Sequence, residues 1–203
     1  MYKLPYFTEP DKSKVIAFIK ANYFAVITGK GEEYPVATHI PLEIIEEDDR
    51  IKLIGHLMKN TDHHLAFLKD ENVLVVFNGP HTHVSASWYE IKNVGSTWNY
   101  MTVHAKGKIR FKDEAATVEA VKRITDRYEG PDSPASFSKL PEAYISKLVK
   151  AISAFEITVE SFDNVFKLSQ NMSKTDQQSI ISNLQKREDP GAHSIARIMK
   201  ERL

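Results

Sequence analysis

The sequence predicts an α+β fold, an antiparallel sheet or barrel with helices at its periphery. Three observations carry this. From residue 23 to residue 112 one β-rich run follows another, rich in Val, Ile, Phe and Tyr and separated by turn residues. The regular strand–helix alternation that builds a doubly wound parallel sheet is absent. Helical periodicity is concentrated before and after this region.

Each element has a local reason. "TEPDKSKVIAFIKA" (8–21) opens on a cap-type Thr8 with Pro10 and Asp11, and Val15, Ile16, Phe18 and Ile19 make one helical stripe. "YFAVITGKGEEYPVATHIPLEII" (23–45) places two β-runs around "GKGEEY", a hairpin signature, and "EEDDR" (46–50) is a charged turn. "IKLIGHLM" (51–58) is a strand. "NTDHHLAFLKDE" (60–71) begins with capping residues, and Leu65, Phe67 and Leu68 suit a short helix. "NVLVVFNG" (72–79) is short, β-branched and nearly all apolar, as a buried strand is, and "HTHVSASW" (81–88) alternates. "TWNYMTVHAKGKIRFK" (97–112) is a strand in which Gly107 marks a bulge or a close approach. "DEAATVEAVKRITDRYEG" (113–130) is a helix with Asp113 as cap, Val118, Val121 and Ile124 on one face, and Gly130 as stop. A loop with three prolines (131–141) leads to a helix over 141–152 with Pro141 in its first turn. "AFEITVESFDNVFKLSQN" (154–171) begins as a strand. From Lys174 the chain is helical and polar, interrupted by "DPG" (189–191).

Composition removes several function classes. Lys+Arg and Asp+Glu both number 27 in the 203 residues, so no net basic field attracts nucleic acid. There is no cysteine, which excludes disulfides, thiolate metal sites and cysteine nucleophiles and fits the cytoplasm. "MYKLPYFTEPDKSK" has no apolar core of signal-peptide length, and no run approaches a membrane span.

"GPHTHVSASWY" (79–89) sets the chemical question. His81 and His83 share a face if the stretch is extended. Two histidines do not make a zinc site, and no HExxH helix supplies more ligands, so no metal is expected. Ser85 and Ser87 lack a nucleophile-elbow motif, and "GKGEEY" is neither a P-loop nor a dinucleotide fingerprint. The C-terminal segment turns at Asp189–Gly191 and carries Lys186, Arg187, Arg197, Lys200 and Arg202. Acidic residues are interleaved with these, as on a solvated helix pair. What remains is a cluster of rings and polar groups: Trp88, Tyr89, Trp98, Tyr100, His81, His83 and His104, with Ser85, Ser87, Thr97 and Asn99 among them. Aromatic residues on strands are usually core, yet this mixture also suits the wall of a site for a flat, partly polar ligand.

Five blocks carry a resemblance: "ATHIPL" (37–42), "GHLMKN" (55–60), "FNGPHTHVSASWY" (77–89), "STWNYMTVHAKG" (96–107) and "FKLSQN" (166–171). In this order they resemble the PaiB-like family, FMN-binding negative transcriptional regulators within the split-barrel, pyridoxamine-phosphate-oxidase-like superfamily. The resemblance implies a six-stranded antiparallel split barrel with flanking helices over 1–171. Residues 172–203 would be a helical extension packed on that barrel as part of the same domain. It also implies a homodimer with FMN at the subunit interface. It places the flavin phosphate near Thr38, His39, Lys59, Asn60 and Thr61, with His63 or His64. Here the chain departs from the family, reading "NTDHHLA" where relatives carry an Asn-Pro-Gln-Trp-Arg-like run. The flavin ring would lie along the backbone of His39–Ile40, walled by His83, Ser85, Ser87, Trp88, Trp98 and Asn99. Lys167, Ser169, Gln170 and Asn171 either close that pocket or pack the late strand. The function implied is a repressor of degradative-enzyme and sporulation genes, touching DNA directly or indirectly, with a small-molecule effector or substrate open. The alternatives are an FMN-dependent oxidoreductase and a heme-binding split-barrel protein.

Overall fold

The computed structural model describes residues 1–2, 4–48 and 50–203; Lys3 of the N-terminal stretch and Asp49 of the expected charged turn lie outside the described residues. Helices and strands follow the order α1 (Lys12–Ala21), β1 (Phe24–Gly29), β2 (Val36–Pro41), β3 (Glu43–Glu47), β4 (Arg50–Met58), α2 (Asp62–Lys69), β5 (Asn72–Val84), β6 (Thr97–Phe111), α3 (Glu114–Glu129), α4 (Glu142–Ala151), β7 (Ile152–Lys167), α5 (Lys174–Leu184) and α6 (Pro190–Arg202).

The described strands form one seven-stranded sheet in the order β2-β1-β5-β6-β7-β4-β3. This corrects the expectation of a six-stranded split barrel: the described strands make an unclosed sheet whose order has two ends, and there is one strand more. The extra strand arises because the run 36–45 breaks at Leu42. The Leu42 N–H still donates to the Tyr23 carbonyl at 2.9 Å, in register with the β1–β2 ladder, and is the last bond of that pairing. The chain then restarts as β3, pairing Ile44 with Leu53 and Ile45 with Lys52.

The chain forms two compact units, Met1–Asn22 with Phe77–His104 and Asp163–Leu203, and Tyr23–Val76 with Ala105–Phe162. In the first, α1 buries the predicted stripe of Val15, Ile16, Phe18 and Ile19. Its cap is Asp11, whose carboxylate accepts the Ser13 N–H at 2.9 Å. Thr8, the residue expected there, instead donates its hydroxyl to Leu4 O. Phe18 packs on Phe166 with ring centroids 5.1 Å apart. Ile180, Ile181, Leu184 and Ile195 of α5 and α6 are fully buried, each stabilising by about 1.5–3 kcal/mol relative to exposure. Asp189 caps α6, accepting the Gly191 N–H at 2.9 Å, with Pro190 in its first turn.

In the second unit, β1 pairs antiparallel with β2 (Val26↔His39) and with β5 (Val26↔Val76), and β4 pairs with β7 (Gly55↔Phe155). The cap Asp113 accepts the Ala116 N–H at 2.8 Å, and Gly130 ends α3 at φ 75°. Gly107 is the close approach the sequence marked: a Cβ there would stand 2.4 Å from Thr158 O.

Candidate functional site

The expected site residues fall into two groups, one in each unit. In the first unit, strand alternation puts His81 and His83 on one face of β5 and sends Thr82 inward, where it is 2% exposed. Trp98 of β6 is 54% exposed and lies by both imidazoles, at 6.2 Å from His81 and 5.9 Å from His83 between ring centroids. With Asn78, Tyr100, Thr102 and His104, His81 and Trp98 line a shallow hollow of about 500 Å³, and His83 stands outside it.

The other ring-side residues have different surroundings. Ser85 and Ser87 share a hydroxyl–hydroxyl bond of 2.8 Å, and Ser85 caps the single turn Ala86–Trp88. The Trp88 ring lies under the Arg187 guanidinium at 4.9 Å, and its carbonyl accepts from Ser179 Oγ at 2.7 Å. Asn99 points away from Trp98 into the core and is 0% exposed. Its Oδ1 accepts from Ser169 Oγ at 3.0 Å, and its Nδ2 donates to Met199 Sδ at 3.5 Å. The "FKLSQN" block is packing. Ser169 takes φ 59° to reach Asn99, Gln170 ties Leu168 N to Phe166 O, and Lys167 donates to Thr97 Oγ1 beside the Phe7 ring. Burial there holds the Lys167 amine below its ordinary pKa.

The sequence reading missed the groups that hold this stretch from outside. Arg187 Nη1 donates to His83 O at 2.9 Å, and Thr82 Oγ1 donates to Asp189 Oδ2 at 3.1 Å. Asp176 Oδ1 accepts the Glu90 N–H at 2.8 Å. Two of the C-terminal cations expected on a solvated face are paired with carboxylates, Arg202 with Glu9 (2.7 Å) and Arg197 with Glu201 (2.9 Å).

In the second unit, Ile40 is core, Thr38 is half-buried, and His39 is exposed and stacked on Phe24 at 6.3 Å. Thr61 caps α2, accepting the His64 N–H at 3.3 Å and donating its hydroxyl to Met58 O. His63 N–H goes to the Asp62 carboxylate (2.7 Å), which these contacts hold below its ordinary pKa, and His63 Nε2 lies 3.0 Å from Thr61 Oγ1. Asn60, at φ 64°, donates its N–H to His64 Nδ1 at 3.1 Å. Burial first, then the charge of His63, holds the His64 imidazole below its ordinary pKa, the state in which Nδ1 accepts. Lys59 Nζ donates to Val149 O at 3.1 Å, leaving two ammonium protons free for another acceptor.

Comparison with known proteins gives these groups a context. A family profile described as "Putative FMN-binding domain" matches residues 1–161. The chain belongs to this FMN-binding family. The family's cofactor, FMN, is therefore the cofactor of this chain, and the resemblance read from the five blocks is borne out. The chain is 34% identical over its whole length to "Protease synthase and sporulation protein PAI 2" of Bacillus subtilis, covering 98% of that protein. It is 29% identical to an uncharacterised protein of Emericella nidulans, again over its whole length and 97% of the relative. Among solved structures it is similar to the flavocytochrome Anf3 from Azotobacter vinelandii, with a TM-score of 0.61 and 16% identity over 82% of this chain and 72% of that one. It is also similar to the FAD and heme binding protein from Mycobacterium smegmatis, with a TM-score of 0.60 and 14% identity over 79% and 73%. At these identities the likeness establishes the fold.

The two groups differ in how they suit the flavin of this family. The exposed Trp98 face, with two imidazoles beside it, has the aromatic and polar composition a flat ring requires. The start of α2 does not fit a phosphate as arranged: the N–H groups of Asn60, His63 and His64 are engaged by neighbouring side chains, and Asp62 adds negative charge. Lys59 is the one cation of the expected phosphate set, with Thr38 Oγ1 as a hydroxyl. Among the described residues no group of three His, Asp or Glu side chains gathers around a metal position, and no helix is long and apolar enough to cross a membrane.

Proposed function

We propose that the protein is a PaiB-type FMN-binding homodimer of the cytoplasm that acts as a negative regulator of gene expression. The observation that carries this reading is the 34% identity to PAI 2 of Bacillus subtilis along the whole chain. On it, Lys59 and Thr38 bind the flavin phosphate. His83 and Trp98 face the ring, and Trp88, braced under Arg187, stiffens the wall beside it. The exposed Trp98 face is where the second protomer adds its contacts, since an aromatic surface of this kind is the usual core of an interface. Asn99 supports this wall from behind rather than touching the ring.

Repression on this reading is indirect or depends on a patch assembled by the dimer. The net charge is +0, Arg187 and Arg202 are committed to internal contacts, and Arg197 is paired with Glu201 on the surface. Three measurements test it. The visible spectrum of the untagged protein shows bound flavin, light scattering gives a dimer mass, and a gel shift with promoter DNA at low salt gives the mode of regulation. A colourless protein that does not quench added FMN refutes the flavin reading, and a monomer refutes the interface.

A second reading, heme, is favoured by one observation: the His81 and His83 side chains make no hydrogen bond among the described residues and flank the same exposed ring. It requires a Soret band after hemin addition that is lost in His83→Ala.

A further inference from the structure

A second candidate site lies in the other unit, where the ends of the "ATHIPL" and "GHLMKN" blocks meet α3. The alternation of β4 sends Ile51, Leu53, Gly55 and Leu57 into the core and turns Ile54 and His56 outward. With Ala120, Arg123, Ile124 and Arg127 of α3 these outward residues line a cleft of about 110 Å³, with Leu42 in its wall.

Two polar groups around this cleft have no partner. Arg123 donates from Nη2 to Glu43 Oε2 at 3.0 Å, while its Nε is buried without a hydrogen bond. The His56 side chain makes no hydrogen bond among the described residues, and burial keeps its imidazole neutral by lowering its pKa. At the mouth, Arg127 lies over Tyr23 and Tyr128, at 5.0 and 5.7 Å from their ring centres, and forms no ion pair among the described residues. Buried donors are nearly always satisfied, so an orphaned guanidinium N–H beside a cleft calls for an acceptor. The Nε–H and Nη2–H edge of an arginine fits the two oxygens of a carboxylate, and Glu43 uses only half of it.

We propose that this cleft binds a small carboxylate with a compact apolar body. The carboxylate accepts from Arg123 Nε and pairs with Arg127, and His56 donates from its neutral ring. The body rests on Ile54, Ile124 and Leu42. The volume limits the class: at about 110 Å³ the cleft is smaller than the cavity of about 150 Å³ that admits benzene, so it encloses a short branched chain, or holds a single ring that projects from its mouth.

Titration calorimetry on the full chain tests this with three probes: benzoate, acetate (no apolar body) and benzyl alcohol (no charge). Benzoate is expected to bind with about millimolar affinity or tighter. Acetate should be about tenfold weaker, and benzyl alcohol silent. Arg123→Met should weaken benzoate about tenfold or more, and Ala120→Leu, which fills the cleft from α3, should abolish it with an unchanged circular dichroism spectrum. Where Arg123→Met fails to fold, Ala120→Leu decides. No benzoate binding, or equal binding to wild type and Ala120→Leu, overturns the proposal. Neither outcome depends on flavin, so the two sites stand or fall separately.

Discussion

Arg187→Met removes the guanidinium that braces residues 82–88 and leaves a side chain of similar length. Two contacts are lost. The bond from Nη1 to His83 O is 2.9 Å long and charge-assisted, worth about 1.5–3 kcal/mol. Because Arg187 is half-buried, the lower end applies, about 1.5 kcal/mol. The stack over Trp88 at 4.9 Å adds about 0.5–1 kcal/mol. The 3.4 Å contact with Thr82 Oγ1 is too long to add much. The sum is a loss of about 2–2.5 kcal/mol, which in a chain of 203 residues lowers Tm by roughly 4–10 °C. Urea unfolding gives the free energy, and native-state tryptophan emission, which shifts to the red as Trp88 loses its cover, ties the loss to this place. Lys186→Met, at an exposed neighbour, serves as the control. If Arg187→Met stays within about 0.5 kcal/mol of wild type, the brace is decorative and the reasoning fails.

Four further outcomes follow from the structure. Gly107→Ala forces a methyl to within 2.4 Å of the Thr158 carbonyl and should cost about 2–4 kcal/mol, read by denaturant midpoint, whereas Gly95→Ala, in open space, should be silent. Asn99→Ala strands the buried Ser169 hydroxyl and should cost about 2 kcal/mol, with any flavin affinity of the folded fraction unchanged in a fluorescence titration. The imidazoles of His56 and His64 are both held below the ordinary value of 6.5, so on acidification the unfolded chain takes up protons first. Stability is full above 6.5 and is lost as pH falls through it toward the folded-state values. His64→Gln, which keeps an acceptor for Asn60, should flatten part of a Tm-against-pH curve. Asp62→Asn should tighten FMN at low salt, with the gain shrinking as salt rises; a salt-independent gain would exclude a charge effect.

Where local chemistry decides the structure, the sequence was readable. The cap Asp113, the stripe Val118–Val121–Ile124 and the stop Gly130 all lie within one helix, and α3 formed as expected. Gly107 advertised its contact because only a missing side chain tolerates a carbonyl so near. The break at Leu42 was illegible, since Pro41-Leu42-Glu43 fits a continuing strand and the change lies in the partner, β1 up to Leu42 and β4 from Glu43. Around the first group of site residues, the wall was visible but its supports were not. Ser179, Arg187 and the partner of Thr82, Asp189, meet the 82–88 stretch across 91, 104 and 107 residues of chain, and nothing local records such a pairing. Asn99 faces away from Trp98 for a simple reason: neighbours on a strand face opposite ways, so the two belong to different sides of β6.

The Glu9–Arg202 pair, formed across 193 residues, has a meaning for how the protein is made. The first unit draws on three stretches far apart in sequence, and Phe18 of α1, which lies against Gly79, gains its ring partner only after Phe166 has been synthesised. A growing chain therefore leaves part of the apolar face of α1 uncovered until the late strand emerges, and such transiently exposed surface favours aggregation. A chain cut short before Arg202 lacks the ion pair that ties Glu9 to α6.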